Sequence, residues 1–181
     1  INVKNEDGIA HLKAMSPVDC IFLDPARRNE HGGKAVAISD CEPDVAALEG
    51  LLLNKAKQVM VKLSPMLDLS LALRELQQTQ EVHIISVNNE CKELLLILGQ
   101  TIPQEIKIHC VNLSTKGEQE EQHFTFTREQ EQCSQCNYTD SLDEYLYEPN
   151  ASLLKAGAFK SLSSAFPIRK LHPNSHLYTS D

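Results

Sequence analysis

The sequence predicts an α/β fold organised around a parallel sheet. Three short apolar runs, residues 18–24, 57–63 and 81–87, have the continuous hydrophobicity of strands that are buried on both faces. Between them, residues 41–56 and 67–76 carry apolar side chains at helical spacing. Because strands and helices alternate along the chain, we expect parallel strands joined by right-handed crossovers.

The boundaries of these elements follow from their flanking residues. The first strand ends at Asp24-Pro25, and the helix of residues 41–56 begins at Asp40 or Cys41. Residues 90–98, with the sequence ECKELLLIL, are interpreted as a short helix, for which Asn89 is the N-cap.

A different pattern begins after this helix. Residues 106–114 and 123–128 alternate between apolar and polar side chains, which predicts a β-hairpin. Residues 129–141 have the composition of a linker. A further helix is expected from Ala151, with Asn150 as its N-cap and Gly157 interrupting or ending it. We therefore divide the chain into residues 1–103, 104–139 and 140–181.

Composition limits the class of protein. The chain has 181 residues, of which 41% are hydrophobic and 23% charged, as in globular domains. No apolar run approaches the roughly 20 residues that cross a bilayer, and the sequence begins without a signal region. We expect a cytoplasmic protein without a membrane partner.

Charge is unevenly distributed. The net charge is −8, yet residues 151–181 carry four lysines and arginines against Asp181 alone, so 4 − 1 = +3, and the preceding 150 residues total −11. Because nucleic acids attract basic surfaces, the C-terminal segment is the expected contact if RNA or DNA binds.

No metal site is predicted. Cys133 and Cys136 form a C-x-x-C pair without a second pair nearby, and the other four cysteines are interpreted as free thiols. The seven histidines have no metal-binding spacing; His109 and His123 are expected to be structural neighbours across the hairpin.

The motif DPARR, residues 24–28, is the strongest candidate for chemistry. It follows a buried strand, and ligands of open α/β sheets bind at the carboxyl ends of strands. Pro25 stiffens the turn and aims the Asp24 carboxylate, while Arg27 and Arg28 offer donors to phosphate or carboxylate. The same residues also suit a strand-ending turn whose arginines pair with neighbouring acids.

Two residues at the end of the next predicted strand are expected to lie at the same edge of the sheet. Lys62 and Ser64, followed by Pro65, are candidates for substrate contact, or simply for an exposed strand end.

The motif FLDPARR resembles the fourth-strand motif of class I S-adenosylmethionine (SAM)-dependent methyltransferases, in particular a bacterial family with a ferredoxin-like insert and a THUMP-like C-terminal domain. Four further segments are similar to that family: VKLSPMLDL, SVNNECKELL, EYLYEPNASLLKAGAF and KLHPNSHLYTSD. The resemblance implies the C-terminal half of a Rossmann-like methyltransferase sheet at 1–103, a β-hairpin or ferredoxin-like segment at 104–139, and a small α/β THUMP-like piece at 140–181. It also implies that Asp7 lies near the adenine of SAM.

Two departures from the family qualify this resemblance. No glycine-rich turn precedes Asp24, where Gly8 is the one glycine, so we expect a fragment that binds SAM weakly and is inactive alone. Arg27 also stands where methyltransferases that modify base amines have an aromatic residue.

The expected function is therefore that of the parent protein, a SAM-dependent methyltransferase acting on RNA. The position of the cysteine nucleophile of 5-methyluridine enzymes is occupied by Lys62-Leu63-Ser64-Pro65, which favours transfer to nitrogen or oxygen. The alternatives are a non-enzymatic RNA-binding or assembly module that lacks the cofactor half, and a small-molecule methyltransferase. Because only half of a sheet is present, we also expect self-association through the edge near Val18–Leu23.

Overall fold

The computed structural model describes residues 1–27, 37–115 and 121–181. The chain forms two compact units: the first contains Ile1–Gln80 and Leu96–Pro103, and the second contains Glu81–Leu95 and Gln104–Asp181. None of the helices in the described ranges is long and apolar enough to span a membrane.

Helices and strands alternate between residues 45 and 87, and three further strands then precede the next helix of the described residues. The helices are α1 (Gly8–Ala14), α2 (Val45–Lys55), α3 (Leu69–Glu75), α4 (Arg128–Cys133), α5 (Ala151–Ala156) and α6 (Phe159–Ala165), with a 3-10 turn at Ile38–Asp40. The strands are β1 (Val18–Leu23), β2 (Ala26–Arg27), β3 (Cys41–Glu42), β4 (Ala56–Leu63), β5 (Thr79–Val87), β6 (Glu90–Gly99), β7 (Lys107–Leu113), β8 (Gln122–Thr127), β9 (Tyr145–Tyr147), β10 (Arg169–Lys170) and β11 (Tyr178–Ser180).

These strands form three sheets. The largest has six strands in the order β1-β4-β6-β5-β7-β8, the second has the order β10-β11-β9, and β2 pairs with β3. The α/β class is therefore confirmed, with a small antiparallel sheet formed by the C-terminal strands. The six-stranded sheet is mixed, because β1 and β4 are parallel while β7 and β8 are antiparallel.

In the first unit, two aspartates define where helices begin. The side chain of Asp44 accepts a hydrogen bond from the backbone N–H of Ala47, and that of Asp68 accepts one from Leu71. The predicted helix 41–56 thus begins later than expected, after the short strand β3, while the predicted helix 67–76 corresponds to α3. Their apolar faces belong to a core of fully buried side chains that includes Leu52, Val59, Val61, Leu67 and Leu76.

The predicted helix at residues 90–98 is wrong, because these residues form strand β6. Asn88 and Asn89, which precede it, have positive φ angles of 49° and 62°. Two successive residues with positive φ form the tight turn that suits a β-hairpin, and asparagine tolerates this conformation better than most residues. The chain therefore reverses direction at this turn and continues as strand β6, and no helix begins at Asn89.

The second unit contains the predicted hairpin of β7 and β8, which pair antiparallel from Lys107↔Thr127 to Asn112↔Gln122. The predicted linker at 129–141 instead begins inside helix α4, whose capping box joins Thr127 and Gln130. Helix α5 follows Asn150 as predicted and ends at Gly157, whose φ of 72° explains why glycine stands there.

Candidate functional site

The carboxyl ends of β1 and β4 bring two predicted site residues together. The strands are parallel with Leu23 opposite Val61, so Asp24 and Lys62 are the next pair along. Nζ of Lys62 lies 2.6 Å from Oδ2 of Asp24, with the lysine side chain 30% exposed and the aspartate 55%. This edge of the sheet thus carries a solvent-accessible ion pair.

The same two strands carry a second ion pair at their opposite ends. Nζ of Lys57 lies 2.7 Å from Oδ1 of Asp19, and both side chains are more exposed, at 77% and 88%. The two pairs have the same chemistry and nearly the same length, but only the first lies where ligands of α/β sheets bind.

The chain after Asp24 turns into a two-stranded ribbon. Pro25 is half-buried, and Ala26 and Arg27 pair with Glu42 and Cys41 of β3. For Arg27 the backbone position alone is described, and Arg28 lies outside the described residues.

Ser64 and Pro65 form the turn from β4 into α3. Oγ of Ser64 accepts a hydrogen bond from the backbone N–H of Met66 at 3.2 Å, and its carbonyl accepts one from Leu67 at 3.1 Å. The serine therefore stabilises the turn in addition to lying two residues beyond Lys62.

Asp7 is the N-cap of α1, where its Oδ1 accepts a hydrogen bond from the backbone N–H of Ala10 at 2.7 Å. It also borders an open cavity of about 570 Å³ in the first unit. The cavity lining includes the apolar side chains of Leu12, Leu23 and Leu52. Since Leu23 immediately precedes Asp24, the cavity begins beside the end of β1.

The cysteines are free thiols. Burial raises the pKa of Cys110 to about 12 and also raises the pKa of Cys91. In the C-x-x-C pair Cys133 is exposed, whereas Sγ of Cys136 contacts Oγ of Ser163 at 3.2 Å.

Asn89 caps a helix, but the helix is α5 and not the predicted helix at residues 90–98. Its Oδ1 accepts a hydrogen bond from the backbone N–H of Ala151 at 2.7 Å, at the start of α5. Asn150 caps the same helix through Leu153. Both asparagines line a second open cavity of about 690 Å³ within the second unit. The contact between Asn89 and Ala151 joins residues that are far apart in the chain, so a single sequence gives no indication of it.

Comparison with known proteins relates the chain to one solved structure and one domain family. The solved structure is a "putative methyltransferase from Porphyromonas gingivalis W83", with 44% sequence identity and a TM-score of 0.78. The match covers 90% of this chain and 39% of the other protein, so the chain spans well under half of that protein. No curated protein matches the chain.

A family of ferredoxin-like domains matches residues 145–181. This match lies in the segment expected to be THUMP-like and outside residues 104–139, where we expected ferredoxin-like character. Together with the six-stranded sheet, the comparisons show a methyltransferase-like α/β fold.

Proposed function

We propose that this chain carries the acceptor side of a SAM-dependent methyltransferase active site, and that the parent protein methylates RNA on nitrogen or oxygen. The observation that carries the proposal is the ion pair of Asp24 and Lys62 at the carboxyl ends of neighbouring parallel strands. It is supported by the 44% identity to the protein described as a "putative methyltransferase".

Each residue at this edge has a distinct task in the proposal. SAM, when bound, would supply its sulfonium methyl group to a lone pair of the acceptor and leave as the neutral thioether, while the acceptor would lose its proton to solvent. The Asp24 carboxylate and the Pro25 carbonyl orient the acceptor by accepting its N–H or O–H. Lys62 holds the Asp24 carboxylate in position through the 2.6 Å contact. Ser64 and Pro65 border the acceptor.

The arginines of the motif are assigned to charge recognition. Guanidinium groups bind phosphate or carboxylate through two parallel hydrogen bonds. Arg27 and Arg28 are therefore proposed to contact an RNA phosphate or the carboxylate of SAM.

The cofactor site is only partly provided by these residues. The cavity beside Leu23 combines an apolar lining with the carboxylate of Asp7 at its rim, which suits the ring and the amino group of adenine. The methionine part of SAM needs a close backbone approach that glycine allows, and Gly8 is the one glycine before Asp24. We therefore propose that the 181-residue chain alone binds SAM weakly and is inactive.

The choice of RNA rests on the C-terminal segment. We expect a THUMP-like domain at residues 140–181, of which residues 145–181 match a ferredoxin-like family, and residues 151–181 carry a net charge of +3. Tyr145 and Tyr147 of β9 are exposed, and their rings lie 6.4 Å apart. Exposed aromatic rings provide stacking surfaces for single-stranded bases.

The same exposed tyrosines favour the second candidate, a non-enzymatic RNA-binding module. The two candidates differ in their need for SAM. Binding of radiolabelled RNA without any methyl transfer, by the parent protein supplied with SAM, supports the module and contradicts the enzyme.

The direct test combines two measurements. Isothermal titration of the 181-residue chain with SAM is expected to give no binding in the low-micromolar range, and such binding would contradict the divided cofactor site. Mass spectrometry of RNA nucleosides from cells lacking the parent gene is expected to show one methylated nucleoside missing. An unchanged nucleoside profile argues against an RNA substrate.

A further inference from the structure

Three side chains that can bind a metal ion lie on one face of the second unit. Strands β5 and β7 are parallel, and their register places His83 directly opposite His109. Glu81 precedes His83 by two residues, so both side chains point to the same face of the sheet. These residues have no part in the proposed methyltransferase site, and the inference does not depend on that proposal.

The three side chains converge. Nε2 of His83 lies 3.2 Å from Oε2 of Glu81, and Nε2 of His109 lies 3.8 Å from the same oxygen. The two imidazole rings are stacked with centroids 4.5 Å apart and planes 19° from parallel. One candidate ligand atom from each residue lies within 4.8 Å of the others.

His109 also has an unused hydrogen-bonding atom. Its Nδ1 lies 3.0 Å from Oγ1 of Thr125, the residue opposite it on β8. Its Nε2 is buried and has no hydrogen-bond partner among the described residues. If Nδ1 donates to Thr125, Nε2 carries a lone pair that faces the Glu81 carboxylate. Two acceptors facing each other are unfavourable without a cation between them.

We propose that Glu81, His83 and His109 bind a divalent transition-metal ion of the zinc class. Two imidazoles and one carboxylate are an established ligand set for zinc. With bonds of about 2.1 Å, tetrahedral ligand atoms are separated by about 3.4 Å. The observed 3.2 and 3.8 Å contacts bracket that value. Because the two rings are stacked with planes 19° from parallel, metal binding requires them to rotate until both Nε2 lone pairs point to the ion. The hydrogen bond to Thr125 would orient His109, as second-layer partners of zinc-binding histidines do.

Access and charge set the expected strength of binding. The side chains of Glu81 and His83 are 41% and 33% exposed, so an ion can enter and keep a water as its fourth ligand. Lys107 lies opposite Glu81 in the strand register, and its positive charge opposes a bound cation. Replacing this lysine with an uncharged residue should therefore tighten binding.

A matched control is present in the same unit. Nε2 of His123 lies 3.2 Å from Oε2 of Glu121, which repeats the Glu-x-His contact of Glu81 and His83. In the described part of the chain, no third possible metal ligand lies close enough to this pair to complete a site. Loss of His123 should therefore leave metal binding unchanged.

The test is titration of the reduced 181-residue chain with Zn²⁺ by calorimetry and with Co²⁺ by visible absorption. We expect one bound ion. His109→Ala and Glu81→Gln should each weaken binding at least 100-fold, since loss of a second-layer partner alone costs about 10–100-fold. Thr125→Val should weaken binding within that range, Lys107→Gln should strengthen it, and His123→Ala should have no effect.

Two outcomes would overturn the proposal. The first is wild-type affinity in both His109→Ala and Glu81→Gln, with circular dichroism showing that the variants are folded. The second is loss of binding in a Cys133→Ser, Cys136→Ser double variant, which would place the ion on the cysteines. If His109→Ala does not fold, Glu81→Gln, which keeps the size of the side chain, decides the question.

Discussion

Replacing Asp24 with asparagine in the parent protein should abolish most methyl transfer while leaving the protein folded. The substitution keeps the size of the side chain and removes the charge that pairs with Lys62 at 2.6 Å. It also removes the carboxylate that is proposed to orient the acceptor. The matched control is Asp19→Asn, because Asp19 pairs with Lys57 at 2.7 Å on the same two strands.

The expected magnitudes separate catalysis from stability. Partly exposed ion pairs contribute about 0.2–1 kcal/mol to stability. The pair of Asp24 and Lys62 should be near the upper end, because the lysine is only 30% exposed, and the pair of Asp19 and Lys57 near the lower end. A domain with about 5–15 kcal/mol of stability stays folded after either change. Loss of a positioned polar group costs about 100-fold or more in turnover, or roughly 2.7 kcal/mol.

The assay measures transfer of tritiated methyl groups from SAM to RNA, with urea unfolding of each variant in parallel. We expect Asp24→Asn to lose about 100-fold in kcat, and Asp19→Asn to keep wild-type kcat. Near wild-type activity of Asp24→Asn would refute the assignment of Asp24 to the active site. Equal losses in both variants would show that the effect is a general one on the strands.

Three further predictions concern association and stability. Strand β1 is exposed at the edge of the six-stranded sheet, and Phe22 is 56% exposed. Light scattering should therefore show self-association of the 181-residue chain, and the Phe22→Lys variant should be a monomer. A wild-type chain that is monomeric at high concentration would contradict this prediction. The folded state favours the neutral thiol of Cys110, whose pKa is raised from 9.0 to about 12, so its contribution is complete below pH 9 and is lost as the pH rises toward 12. In that range, urea unfolding should show that the free energy of unfolding declines by up to about 1.4 kcal/mol per pH unit. This decline should be smaller in Cys110→Ala and unchanged in Cys133→Ala. Asn89→Ala should lower the free energy of unfolding by about 1–2 kcal/mol, because it removes the hydrogen bond to Ala151 and leaves alanine at a φ of 62°. Asn89→Gly should lower it less, because glycine tolerates this φ. Equal stability of the two variants would contradict the role of φ.

Local sequence signals predicted those elements whose cause is local. The strand at residues 18–24 was predicted from its apolar run, but its predicted burial on both faces is wrong, because Cys20 and Phe22 of β1 are exposed. Helix α5 was predicted from its asparagine cap and terminal glycine. Strand β6 was missed because Glu, Lys and Leu in ECKELLLIL favour helices. Its strand conformation depends on the turn at Asn88 and Asn89 and on burial of Leu94, Leu96 and Leu98 within the sheet. Tertiary packing therefore overrides intrinsic preference at these residues.

The two candidate sites differ in predictability for a geometric reason. Asp24 directly follows β1 and Lys62 lies at the end of β4, and the carboxyl ends of parallel strands meet at one edge whatever lies between them. Their proximity therefore needs no knowledge of the crossover. His83 and His109 lie within their strands, where a shift of one residue in register would turn one of the rings to the opposite face. That register is set by the packing of β5 against β7, which a search for ligand spacing along the chain does not detect. Sites built across strands in this way are best sought in the fold rather than in sequence motifs.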